Sequence, residues 1–206
     1  MAKLSGPLLS FGASGSVGDA VTFTKRKRQN VAKSHSVPAN PNSTDQAAQR
    51  SRVTSASNAI QAARALTLRP FIQADIDAWS LLAKSLGKKS TWFNMLVSNH
   101  VAVAALGNVP AIFRYWSGSY SAPNISAQLR CDQVGTFDIT AGHWFYGLSP
   151  TSIIYSISSS FNPPTNLLNK PITPLASGAW HYLQFKVDAG ENSYGAYSGI
   201  YRVFVP

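Results

Sequence analysis

Trp180-His-Tyr-Leu-Gln-Phe-Lys-Val187 is the stretch on which the fold turns. Tyr182, Gln184 and Lys186 alternate with His181, Leu183, Phe185 and Val187. A period of two means a strand with one face buried and the other wetter. The inward set is the one holding Leu183, Phe185 and Val187. On one side Asp188-Ala-Gly-Glu-Asn192 is a turn by composition, and Ile200-Tyr-Arg-Val-Phe-Val205 takes up the strand pattern again. On the other side four short β-prone runs precede it: Ile112 to Trp116, Ile125 to Cys131, Thr136 to Thr140 and Ser152 to Ser158. Phe161-Asn-Pro-Pro-Thr-Asn166 reads as a turn. Short strands at this spacing, with no helical period between them, predict an antiparallel β-sandwich over residues 110–206.

The preceding segment, 43–109, has a different rhythm. Ser43 and Gln46 have capping-box spacing, with Asp45 placed to meet the free amides of a first turn. Val53, Ala56, Ile60 and Ala63 then recur at three and four residues, which predicts a helix ending before Pro70. A second helix is expected over Asp75 to Leu86, with Ile76, Trp79, Leu82 and Ala83 inward and Gly87 as its stop. Ser90 is expected to cap a third, carrying Trp92, Phe93, Leu96 and Val97. Trp79, Trp92 and Phe93 are the expected core of this three-helix module. No helix clusters the Arg, Lys, Asn and Gln that read base edges, so a helix-turn-helix DNA reader is not expected.

Residues 1–42 form an extended basic β arm in this reading. Val21 and Phe23 alternate with polar neighbours, Lys25-Arg26-Lys27-Arg28 makes a hairpin tip, and Asn30 to Ser36, with Val31 and Lys33, returns. A lone hairpin is marginal in water, so the arm is expected to need a partner surface. Gly12, Gly15 and Gly18 read as flexible turns. Their GxxGxxG spacing lacks the Lys-Ser/Thr pair of a phosphate loop, and Ser14 lacks the second glycine of a nucleophile elbow.

The chain of 206 residues carries a formal charge of +10, unevenly spread. Residues 1–35 hold six basic side chains against Asp19, whereas residues 110–206 hold five against four acids. All eight tyrosines lie between Tyr115 and Tyr201, so the composition breaks near Pro110. That break gives the expected domains: arm 1–42, helical module 43–109, sandwich 110–206. Charged residues are only 13% of the chain, which suits a surface packed against other protein. No apolar run has the length of a signal peptide or a membrane span, so neither is expected.

Catalytic groups are sparse. Cys131 is the single cysteine and is expected to be a buried small hydrophobe. His35, His100, His143 and His181 are scattered, with no pair at metal-ligand spacing. Asp188, Glu191 and Asn192 sit in a turn too short for a typical calcium loop. No metal, cofactor or enzymatic activity is expected.

Two stretches carry a resemblance. Gly15-Ser-Val17-Gly-Asp-Ala-Val21-Thr-Phe23, the basic Lys25 to Val31, and Pro38-Ala-Asn-Pro-Asn-Ser-Thr44 to Arg50 resemble small phage and prophage virion structural proteins, as do Asp77-Ala-Trp79 and Trp92-Phe93-Asn94. Phe185 to Gly190, Ser198-Gly199 and Tyr201 to Val205 are similar to the final hairpin of fibronectin type III and immunoglobulin-like modules on virion surfaces. Together they imply an α+β chain: β arm, three-helix module, immunoglobulin-like sandwich. They also imply a virion location and partners among the major capsid protein or other virion subunits. The expected role is a capsid decoration or cement protein that clamps neighbouring coat subunits through Val21, Phe23, Lys25, Arg26, Lys27, Arg28, Val31 and Lys33. Two other readings stand beside it: a tail, neck or connector component, and a nucleic-acid-binding protein that sets the basic arm on phosphate.

Overall fold

The computed structural model describes residues 3–4, 13–17, 21–26, 29–34, 43–88, 90–133, 139–162 and 167–206. In chain order its elements are β1 (Lys3–Leu4), β2 (Ala13–Val17), β3 (Val21–Arg26), β4 (Gln29–Ser34), α1 (Thr44–Ala65), α2 (Gln73–Ser85) and α3 (Trp92–Ala105). The sandwich strands follow: β5 (Ala111–Ser121), β6 (Asn124–Gln133), β7 (Ala141–Gly147), β8 (Tyr155–Asn162), β9 (Leu167–Ile172), β10 (Ala179–Val187) and β11 (Tyr201–Val205). The chain divides into two compact units, residues 1–43 and 44–206.

The first unit corrects the expectation of a lone hairpin. β3 and β4 do pair, from Val21↔Ser34 to Arg26↔Gln29, but β2 and β1 extend them into a four-stranded antiparallel meander. Gly15, read as a turn, lies inside β2 opposite Phe23. An aromatic across from a glycine offsets that residue's poor strand propensity.

In the second unit the helices form where periodicity placed them, and the caps explain their ends. Thr91, rather than Ser90, starts α3: its hydroxyl accepts from the Asn94 amide at 3.3 Å. Gly87 follows α2 at φ 65°, the left-handed geometry a glycine adopts without a Cβ penalty. Ala56, Ile60 and Ala63 of the α1 stripe are buried, whereas Val53 faces outward.

The seven sandwich strands form one ladder, β11-β10-β7-β8-β9-β6-β5, which changes sheet along β8. Tyr155 to Ser160 pair with β7, and Phe161 and Asn162 pair with β9. β5, β6 and β9 thus form one layer and β7, β10 and β11 the other, with β8 paired chiefly to β7 and crossing to β9 at its end, a two-layer antiparallel sandwich. Its core sets Phe113, Leu129, Cys131 and Leu168 against Trp144, Leu183, Phe185 and Val203, all buried. Trp144, on the third strand, meets Phe185 edge-on at 5.6 Å. The strand expected at Thr136 to Thr140 is displaced: Ile139 and Thr140 are irregular, 136–138 lie outside the described residues, and the strand is β7.

Helices and sandwich share their interiors. A second apolar cluster joins Ile60 of α1, Trp79 and Leu82 of α2 and Leu96 of α3 to Ile112 and Ile200. The composition break at Pro110 therefore marks a change of element type within one compact unit. α2 lies against both β5 and β11, the two end strands of the ladder. Covering free edges with a helix is a standard way of blocking unwanted pairing.

Candidate partner interface

The basic hairpin is built from register. Cross-strand partners share a face, so Val21, Phe23, Ala32 and Ser34 stand on one side and Thr22, Thr24, Val31 and Lys33 on the other. Val21 and Phe23 are half-buried, while Val31 to Ser34 are exposed, with Val31 at 39%. None of the described side chains of this unit is buried. Lys25 and Arg26 end β3 at the tip, and Lys27 and Arg28 lie outside the described residues. β4 is a terminal strand of its sheet, with β3 its single partner among the described strands. Such an edge offers unpaired backbone groups, and a lysine on it limits promiscuous pairing.

The expected helical core residues have separate places. Trp79 is fully buried in the second cluster. Trp92 and Phe93 are half-buried beside it, their rings 5.6 Å apart and nearly perpendicular. The Arg64 guanidinium lies 5.5 Å from the Trp92 ring centroid.

Among the described residues no group of three metal-ligating side chains occurs. The acids in the Asp188 turn hold structure instead. Glu191 accepts from the Thr140 hydroxyl and from the Thr140 and Ala141 amides at 2.6–3.1 Å. Asp188 Oδ1 sits 2.5 Å from His143 Nδ1, and Ser158 is the cross-strand neighbour of that histidine. The three types are those of a nucleophilic triad, but the Ser158 hydroxyl has no hydrogen bond to the ring, and the group sits on an outer sheet face. Cys131 is buried as expected, and burial pushes its thiol well above the ordinary range.

Sequence reasoning missed Asp75, whose carboxylate joins α2 to the sandwich. It accepts from the Ile72 amide, the Tyr115 and Trp116 amides and the Tyr201 hydroxyl at 2.9–3.2 Å. Tyr115 and Trp116 sit in a bulge of β5, where pairing with β6 skips from Arg114 to Ser117. Tyr115 has φ 57°, a strained value for a non-glycine residue. The carboxylate thus takes the amides that the ladder leaves over. Burial raises the Asp75 pKa, and burial with the adjacent carboxylate raises that of Tyr201 strongly. An acid three residues after the position preceding a helix was the available signal, but its β-sheet partners are invisible in sequence. Arg114 and Asp132 form a second such joint: the guanidinium donates twice to Asp132 and once to the Arg69 carbonyl.

No family model matches the chain, and neither does any curated protein or solved structure.

Proposed function

We propose that this chain is a virion structural protein of a phage, a capsid decoration or cement protein that docks on neighbouring coat subunits through its N-terminal sheet. The observation that carries this reading is the character of residues 1–43. They are a compact unit of their own, strongly basic, with no buried side chain among those described and a terminal strand presenting Val31 and Lys33. A small sheet gains independent stability by burying a face, and a partner surface supplies that burial. The charges of the contiguous basic run Lys25 to Arg28 select an acidic partner and speed encounter. The sandwich is the rigid module that such an anchor holds in place. The low charge density and the motif resemblance over residues 12–100 support the same reading. Binding at subunit junctions stabilises a shell by mass action, since the clamp binds assembled and not separated subunits.

Deletion of residues 1–35 is the test: incorporation into particles is lost while residues 44–206 stay folded by circular dichroism. Normal incorporation of the truncated protein sinks the clamp. Replacing Lys25, Arg26, Lys27 and Arg28 with Gln weakens particle binding by about 1–3 kcal/mol in total, as expected for exposed charge pairs. The basic tip also favours a second reading, contact with nucleic-acid phosphate. That reading requires affinity for a duplex oligonucleotide that falls steeply and linearly with log salt.

A further inference from the structure

The outer face of α2 and the start of β11 enclose a cleft of about 460 Å³. That volume is within the range of small-ligand sites. Ala74, Asp77, Leu81 and Lys84 follow one another at helical spacing along one wall, and Trp116, Ile200 and Arg202 form the other. The walls are fixed. The Ile200 amide donates to the Ala78 carbonyl at 3.0 Å, and a Cβ on Gly199 would lie 2.7 Å from α2 backbone. Tyr201 is held by Asp75 and stacks on Trp116 with centroids 4.4 Å apart. Arg202 is steered by Trp180, its guanidinium 4.9 Å from the ring centroid.

The charges at the mouth do not cancel. Lys84 and Arg202 take part in neither ion pair found among the described residues. Asp77 already accepts from the Gln73 amide nitrogen at 2.9 Å. Two cations against one acid leave a single positive charge over a mixed floor in which Ser80 stands among Ala78, Leu81, Trp116 and Ile200.

We propose that this cleft binds an organic carboxylate bearing an apolar group. The carboxylate sits between Lys84 and Arg202, where guanidinium geometry suits two-pronged recognition. The apolar part lies against Ala78, Leu81, Trp116 and Ile200. A singly charged anion balances the site, whereas a phosphate dianion leaves it with excess negative charge and gives up a larger hydration energy on entering the cleft. This inference is independent of the particle-docking reading, because every residue in it belongs to residues 44–206.

The experiment is an NMR titration of the full chain with phenylacetate, with phenylacetamide as its uncharged counterpart and phenyl phosphate as the dianion. Saturable shifts are expected at Ala78, Leu81 and Arg202 with phenylacetate, at least tenfold weaker with the other two. Arg202→Gln and Lys84→Gln, both exposed positions, each lower phenylacetate affinity several-fold, and Asp77→Asn raises that of phenyl phosphate. A blocked Phe-Glu-Phe tripeptide distinguishes the sources: tighter binding than phenylacetate assigns the cleft to an acidic side chain of a protein, weaker binding to a free small acid. Equal binding of acid and amide, shifts unchanged by Arg202→Gln, or no saturable shift with phenylacetate overturns the proposal.

Discussion

Asp75 illustrates how one buried side chain substitutes for a broken ladder. Its four donors converge from the residue that precedes α2, the β5 bulge and β11. Asp75→Ala leaves them buried without an acceptor, at a cost of about 3 kcal/mol or more, measurable by urea denaturation. Asp75→Asn keeps one acceptor oxygen and is expected to cost less. Two buried histidines give a pH signature. His181 Nε2 accepts from the Leu175 amide at 2.9 Å, so its proton sits on Nδ1, facing the Ala179 carbonyl. His100 is buried on α3, and neither ring nitrogen has a partner among the described residues. Burial lowers the pKa of both. A folded-state value below the unfolded one of about 6.5 means that unfolding takes up protons. Their contribution is complete above that pH and is lost as the pH falls through the window below it. Asp75 has the opposite sign: its raised pKa gives stability that is present below the unfolded carboxyl value and declines as the pH rises through the folded one. His100→Leu should stabilise by about 1 kcal/mol at neutral pH, more below pH 6, and flatten the acid limb of a stability-pH curve. A variant that leaves that limb unchanged removes His100 as its cause. Of the Asp75 contacts only the one to Ile72 was legible in the sequence, because the other three partners are 40, 41 and 126 residues away.

Helices were easier to read than strands, and particular residues show why. The stripe through Ala56, Ile60 and Ala63 and the glycine after α2 are local signals, and local signals decide a helix. β7, Ala141-Gly-His-Trp-Phe-Tyr-Gly147, has a glycine near each end and three successive aromatics, which blur the alternation. β9 contains Pro171, a residue that argues against an inner strand. It is tolerated because β8 pairs β9 at Leu167 and Leu168 alone, so Pro171 lies beyond that ladder. The β3–β4 hairpin was legible because Val21 and Phe23 alternate with polar neighbours, whereas β2 was hidden by its glycine. Close packing between elements supplies the next expected outcome. Gly199→Ala drives a methyl into the Ala78–Trp79 backbone, which must yield or break the Ile200 to Ala78 hydrogen bond. A loss of about 2–3 kcal/mol follows from overpacking. Thr91→Ala removes the α3 cap and costs about 1 kcal/mol. Gly199→Ala as mild as the cap loss would mean that α2 can shift away from β11.

The composition break near Pro110 separates helix from sheet, yet the physical division of this chain falls at residues 43 and 44. Composition records what each segment is made of, and cooperativity depends on which segments bury one another. Trp79, Ile112 and Ile200 share one cluster although they come from α2, β5 and the approach to β11. The Asp75 carboxylate meets amides of the β5 bulge and the hydroxyl of Tyr201. Residues 110–206 expressed alone would therefore expose Ile112 and Ile200, and would leave the Tyr115 and Trp116 amides without their acceptor. Returning each such apolar side chain to water costs about 1.5–3 kcal/mol, a large share of the 5–15 kcal/mol that a domain of this size has in total. That fragment should show a strongly lowered melting midpoint or no cooperative transition by calorimetry. Residues 44–206 should melt as a single transition with the midpoint of the full chain. Two separate transitions in residues 44–206, or a sandwich fragment as stable as the whole, would mean that the shared interior contributes little. In that case α2 is an accessory to the sandwich and not the element that closes it.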